Sequence, residues 1–316
     1  MYKDYSLDFI ILILLISIIV SVILAWTSIK IAPKIGLMDI PGSAKHKNHQ
    51  KSIPLTGGIV LLDTLLLMIL FTGTWLDKDI LAILVSALII GIMGILDDFL
   101  NLKPYVKLLG QIFAAITIIY LGITVDLFNS PEFFLRTESK LDNYLNLIIT
   151  ILWLTTVTNA FNFIDSSDGL AVGLSGVSSA FFVLISLNTN QTTILFICTI
   201  ILGVCVGLYF FNSHPASLFL GDSGAQTLGF LLASVAILYN PETGTQSSTW
   251  FVPIMIFFVP LFDLTLVIIS RIKRNKEIYK ASQDHTYHRL SKRGIPIHHS
   301  VLMMHGVSLV MSMIGY

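Results

Sequence analysis

The chain has 316 residues, 54% of them hydrophobic and only 12% charged, with a mean hydropathy of +0.82. A soluble domain carries about 25% charged residues, and here the apolar residues run the whole length, which excludes both an ordinary soluble enzyme and a single-anchor protein. The net charge of zero argues against nucleic acid as a partner.

A membrane span needs about 20 mostly apolar residues. Ten such stretches follow one another, at 8–30, 54–76, 79–96, 105–123, 145–164, 169–187, 192–212, 224–240, 249–270 and 298–315, the third and fourth being short. The first is too long for a signal peptide and lacks an Ala-x-Ala cleavage site, so it reads as a retained helix. Cys198 and Cys205 share the seventh stretch, with neither metal-site nor disulfide spacing, and read as packing residues. The longest gaps, 31–53, 124–144 and 271–297, leave no room for a soluble domain. The expected architecture is therefore all-α: a polytopic helical bundle of about ten transmembrane helices forming one membrane-embedded domain over 1–316. No internal repeat of the kind found in many transporters is visible.

Lysine and arginine are unevenly shared between alternate loops. Fifteen of the 19 follow odd-numbered spans: Lys30, Lys34, Lys45, Lys47 and Lys51, then Lys103 and Lys107, then eight between Arg271 and Arg293. The positive-inside rule places those loops in the cytoplasm and the N-terminus outside. Five polar stretches interrupt the apolar sequence, and all fall at span ends on this cytoplasmic side. They are the basic Lys45–Lys51, Asp97-Asp98, Asp165-x-x-Asp168-Gly169, Gly221-Asp222-Ser223-Gly224 and Asp284-His285-x-x-His288. Loops 31–53, 97–104, 165–168, 213–223 and 271–297 can thus meet on one face.

Carboxylates beside Lys, Arg and His suit a divalent cation and an anionic substrate. Hard cations such as Mg²⁺ take oxygen ligands, commonly one or two carboxylates plus substrate phosphates, and basic groups hold the remaining phosphate charge. Asp222 precedes a span whose N-terminus favours an anion. Asp97-Asp98 ends one, where adjacent like charges leave one carboxylate available as a base. Each pair alone is a weak signal, and Asp-Asp at a helix end is usually a solvated terminus; four acidic motifs on one side are not so easily dismissed.

In order along the chain stand Ile53-Pro54 before Gly57-Gly58, Leu96-Asp97-Asp98, Asn159-Ala160-Phe161-Asn162-Phe163-Ile164-Asp165-x-x-Asp168-Gly169-Leu170 and Phe219-Leu220-Gly221-Asp222-Ser223-Gly224. Together they resemble the polyprenyl-phosphate N-acetylhexosamine-1-phosphate transferases from about residue 33 to 293, most specifically in the Asn-Ala-Phe-Asn block. The resemblance implies transfer of a HexNAc-1-phosphate, GlcNAc-1-phosphate by the form of that block, from a UDP-N-acetylhexosamine to polyprenyl phosphate. UMP is released and Mg²⁺ required, with Mn²⁺ an admissible substitute. The site then lies at the cytoplasmic surface of the cell membrane, where both a soluble nucleotide sugar and a membrane lipid can reach it. The branch using UDP-MurNAc-pentapeptide is the alternative within the family, and homodimers occur in it.

Residue by residue, the resemblance assigns Asp222 to the metal with Asp165 beside it. It assigns the pair Asp97 and Asp98 to catalysis, Asp97 deprotonating or orienting the lipid phosphate, with a covalent aspartyl route also open. Asn159, Asn162 and Asp168 belong to the nucleotide-sugar block, and Lys47 and His49 to a phosphate-holding basic loop. Asn212, Asp263, Arg271, His285, His288 and Arg289 complete the substrate-binding set. The sequence departs from the family where Tyr287 stands at a position the common form gives to histidine. Asp63 lies within a span, where an ionisable residue is a functional candidate, but matches no motif. An ion-coupled carrier remains the rival class, since it too would carry Asp63 and Asp263 inside spans.

Overall fold

A computed structural model describes residues 6–41, 52–128, 140–240, 250–277 and 284–316. Among them stand twelve helices: α1 (Leu7–Ile35), α2 (Gly57–Thr72), α3 (Lys78–Leu100), α4 (Pro104–Tyr120), α5 (Lys140–Ile164), α6 (Leu170–Thr189), α7 (Thr192–Asn212), α8 (Gly221–Leu238), α9 (Phe251–Ile256), α10 (Phe258–Lys273), α11 (Thr286–Ser291) and α12 (Ile297–Gly315). Each of the ten expected spans is helical. Seven helices, α1, α3, α5, α6, α7, α8 and α12, are long and apolar enough to cross a membrane. The protein is a polytopic helical membrane protein.

Two expectations need correcting in detail. The third span is not short: Asp77 caps it by accepting from Asp79 N and Ile80 N, and it runs on to Leu100, where Asn101 stops it in the left-handed conformation. The ninth span is broken into α9 and α10 at Phe257. Pro260 lacks the N–H that would bond the Ile256 carbonyl, so the helix loses one rung there. The bonds Phe257 N to Pro253 O and Leu261 N to Phe257 O carry the chain across the break.

α8 is the axis of the bundle, packed against α2, α3, α5, α6 and α7, while α1 lies outside against α2 and α7. Small residues allow the close approach. A methyl group on Gly94 of α3 or Gly58 of α2 would fall on the backbone or side chain of Ser223 at the start of α8. One two-stranded antiparallel pair, Met38–Asp39 with Ile53–Pro54, sits at that end. From it Pro54 O accepts from Phe219 N at 2.8 Å, and Gly57 N and Gly58 N donate to Phe219 O and Leu220 O. These bonds fasten the segment leading into α8 to the start of α2.

Candidate active site

The ends of α3, α5 and α8 and the start of α4 meet at one end of the bundle. Around a cavity of about 330 Å³ stand Asp97 and Asp98 of α3, Asn162 of α5, Asp165 and Asp168 of the following turn, and Asp222 of α8. Asp97 and Asp222, 125 residues apart in sequence, thus face one space, as the loop parity anticipates.

The Gly221-Asp222 turn explains how. Leu220, at the N-cap of α8, offers no side chain to its first amides, and Gly221 takes a φ of 75° with the Asp98 carboxylate against it. Asp98 supplies the cap from α3: Oδ1 accepts from Asp222 N at 2.8 Å and Oδ2 from Ser223 N at 3.1 Å. Negative charge at a helix N-terminus is favourable, and both Asp98 oxygens are committed to it. Asp97 is held differently. Its Oδ1 accepts from Leu102 N at 2.8 Å, and its Oδ2 pairs with Lys107 Nζ. The same ammonium lies 3.1 Å from Asp222 Oδ2, and Asn162 Nδ2 donates to Asp222 Oδ1. Lys107 therefore bridges the two carboxylates. In the sequence Lys107 stands out only as one of the basic residues that follow the third span. Its signal is a lysine within the first turn of a span, four residues after Lys103 at the helix cap.

Asp165 stands in the deepest acidic surroundings. Burial first, then Asp222, Asp98 and Asp168, push its carboxyl well above the usual carboxylate range. Asp168 is braced from outside, its Oδ2 3.0 Å from His214 Nδ1 and accepting from Ala216 N at 3.2 Å. Asp39 of the strand pair also lines the cavity, a residue no motif had marked.

Other expected site residues do not line this cavity. Asn159 donates to Gln111 Oε1 at 2.7 Å and Thr155 O at 2.8 Å, in an amide cluster that continues to Gln226. Asn212 is buried and ties two loops, accepting from Gly169 N and donating to Leu218 O. Asp263 accepts from Thr286 N and Oγ1, with His285 Nδ1 2.8 Å away. Arg271 is buried and donates to Glu277 O, and Arg289 donates to Asp284 O. His288 lies against the Tyr287 ring, 4.1 Å between centroids. Asp63 faces a separate groove between α1 and α2. Lys47 and His49 lie outside the described residues.

Comparison with known proteins decides the family. The model of glycosyl transferase family 4 matches residues 80–240, the stretch from α3 through α8 that builds the cavity. The chain belongs to glycosyl transferase family 4. A relative in Bacillus subtilis, named "Probable undecaprenyl-phosphate N-acetylglucosaminyl 1-phosphate transferase", is 34% identical over 90% of this chain and 77% of its own length. The phospho-N-acetylmuramoyl-pentapeptide-transferase of Halalkalibacterium halodurans is 29% identical over 78% of each chain. The decaprenyl-phosphate N-acetylglucosaminephosphotransferase of Mycobacterium leprae is 28% identical over 71% of this chain and 61% of its own. The resemblance to polyprenyl-phosphate N-acetylhexosamine-1-phosphate transferases drawn from the motifs is borne out, and of these three the N-acetylglucosaminyl relative matches at the highest identity over the largest share of the chain.

Proposed function

We propose that this chain transfers GlcNAc-1-phosphate from UDP-GlcNAc to a polyprenyl phosphate in the cytoplasmic membrane, releasing UMP. The observation that carries the reading is the carboxylate–lysine–carboxylate bridge of Asp97, Lys107 and Asp222 within a membrane helical bundle of this family. Phosphoryl transfer asks mainly for positioning and neutralisation of charge. Asp97, with one oxygen on Lys107, is placed to orient the acceptor phosphate or take its proton. Lys107 carries the positive charge that an incoming phosphate needs. Asn162, Asp168 and the Ser166–Ser167 turn form the side of the cavity that suits the nucleotide sugar. Asp98 maintains the start of α8.

The donor set fits Mg²⁺. Every acidic group lining the cavity offers oxygen, and an ammonium already sits between two of them, where a cation is attracted. Among the described residues no three side chains converge to hold a metal alone, so the fit is to an ion sharing its coordination with substrate phosphates. Asp222 would hold it, with Asp165 beside it. Bound there, the ion would neutralise the charge of the diphosphate. The surplus of lysine and arginine in the loops that carry the site supports a cytoplasmic location, with the N-terminus outside.

The test is release of UMP by the purified protein. UMP is expected from UDP-GlcNAc only when both polyprenyl phosphate and a divalent cation are present, and Asp97→Asn and Asp222→Asn should each lower the rate by at least about 10²-fold. Full activity in both variants sinks the site assignment. Release from UDP-MurNAc-pentapeptide instead reassigns the sugar, and no release from any UDP-sugar sinks the reaction.

A further inference from the structure

α11 reaches the acidic cavity through a single buried side chain. Tyr287 is 2% exposed, and its hydroxyl donates to Ser166 O at 2.8 Å. Ser166 lies in the turn between Asp165 and Asp168 and lines the cavity with them. The Tyr287 ring is stacked on His285, 5.9 Å between centroids and 17° between planes, and lies against His288 on its other neighbour. His285 in turn meets Asp263 of α10, which also accepts from Thr286 N at 2.7 Å. The start of α11 is thus pinned to α10, and its next side chain reaches across to the cavity turn. Inside the turn, Ser166 N to Ile164 O and Leu170 N to Ser167 O are short-range; from outside, His214 and Ala216 N brace Asp168 and Asn212 holds Gly169 N, and Tyr287 holds the Ser166 end. Burial, ahead of the opposing Ser166 bond, pushes the Tyr287 phenol up to about 12, so it is a neutral donor throughout the working range of pH.

We propose that Tyr287 is a positioning residue for the donor nucleotide sugar: through Ser166 O it holds the Ser166–Asp168 turn in the setting that binds the donor. The inference rests on the transfer reaction proposed above and deepens it, assigning a residue outside the cavity to one of the two substrates. Acting through a turn on the donor side, Tyr287 should affect donor binding and leave acceptor binding and chemistry alone. A merely structural role would affect all of them together.

The experiment is calorimetric titration of UDP-GlcNAc into purified wild type and Tyr287→Phe, with steady-state KM for both substrates. The phenylalanine keeps the ring packing and removes one hydrogen bond. Donor affinity should fall roughly two- to ten-fold, donor KM should rise to match, and kcat and acceptor KM should stay within about two-fold. Tyr287→Leu, which also loses the ring stack, should show at least the same donor defect and a lower melting temperature. Wild-type donor affinity in Tyr287→Phe overturns the inference alone, as does a loss shared equally among kcat and both KM values. A wild type that binds no UDP-sugar overturns the proposed reaction and this inference with it.

Discussion

α1 and α8 are both membrane-length helices, and they obey opposite rules from those of a soluble protein. α1 is the most apolar of the seven candidate spans, yet only 28% of its most apolar window is buried within the protein; α8 is the least apolar and 83% buried. Lipid is as apolar as leucine, so a leucine- and isoleucine-rich helix gains nothing by turning inward. Close backbone packing and polar contacts hold the interior instead. α8 accordingly reads Gly-Asp-Ser-Gly-Ala-Gln-Thr at its start, and every one of those residues touches a neighbouring helix, the cavity or the protein interior. Of the seven candidate spans, the one that looks least like a membrane span lies at the centre and brings Asp222 to the cavity, and the one that looks most like a span is the lipid-facing flank.

The contrast can be broken at the bridge. Lys107→Gln removes the ammonium set between Asp97 and Asp222, leaving a buried and a half-buried carboxylate facing each other. The rate of UMP release should fall about 10²-fold, and if it does not, the end of α8 is not where the phosphates are met. A smaller effect tests packing. Gly94→Ala should cost about 1–3 kcal/mol, because the added methyl meets the Ser223 backbone, which cannot move without disturbing the Asp98 cap. Gly306→Ala on the lipid-exposed α12 meets nothing within contact distance and should be neutral or stabilising by up to about 1 kcal/mol. Equal melting temperatures for the two variants would refute the division between packed axis and lipid-facing flank.

The smallest expected effect is on pH dependence. Burial, then His285 and Lys292, hold the His288 imidazole below its usual value. A depressed histidine is neutral in the folded protein and gains its proton more readily when unfolded, so its contribution to stability is present above the ordinary value near 6.5 and is lost as pH falls through it. His288→Gln should flatten that part of the stability profile on the acid side, measured as melting temperature against pH. An unchanged slope would mean that the His288 ring is more open to water than its packing against Tyr287 indicates.

Legibility differed by residue. The carboxylates of the cavity, Asp97, Asp98, Asp165, Asp168 and Asp222, stand out in sequence because a charge in an apolar chain must sit at a span end, and span parity says which ends coincide. Asp39 did not stand out, because the strand pair that brings it in depends on backbone bonds to Phe219, far away in the chain. Asn159 and Asn212 carry the motif spacing, yet their amides are spent on Gln111, Thr155, Gly169 and Leu218. A motif records that a side chain is needed, and its partner in space decides for what.

The sequence by itself therefore determined the class of protein, the number of apolar stretches and the end of the bundle at which the charged motifs gather, since each follows from local apolar length and alternation along the chain. It determined the family as well, through residues in fixed order. Only the tertiary structure decided that Asp98 caps α8 while Asp97 shares Lys107 with Asp222, that Tyr287 reaches Ser166, and that the ninth span breaks at Phe257 without leaving the bundle. Those outcomes depend on the rotation of each helix about its axis and on approach distances set by single glycines, and neither is written in the periodicity of one strand of sequence.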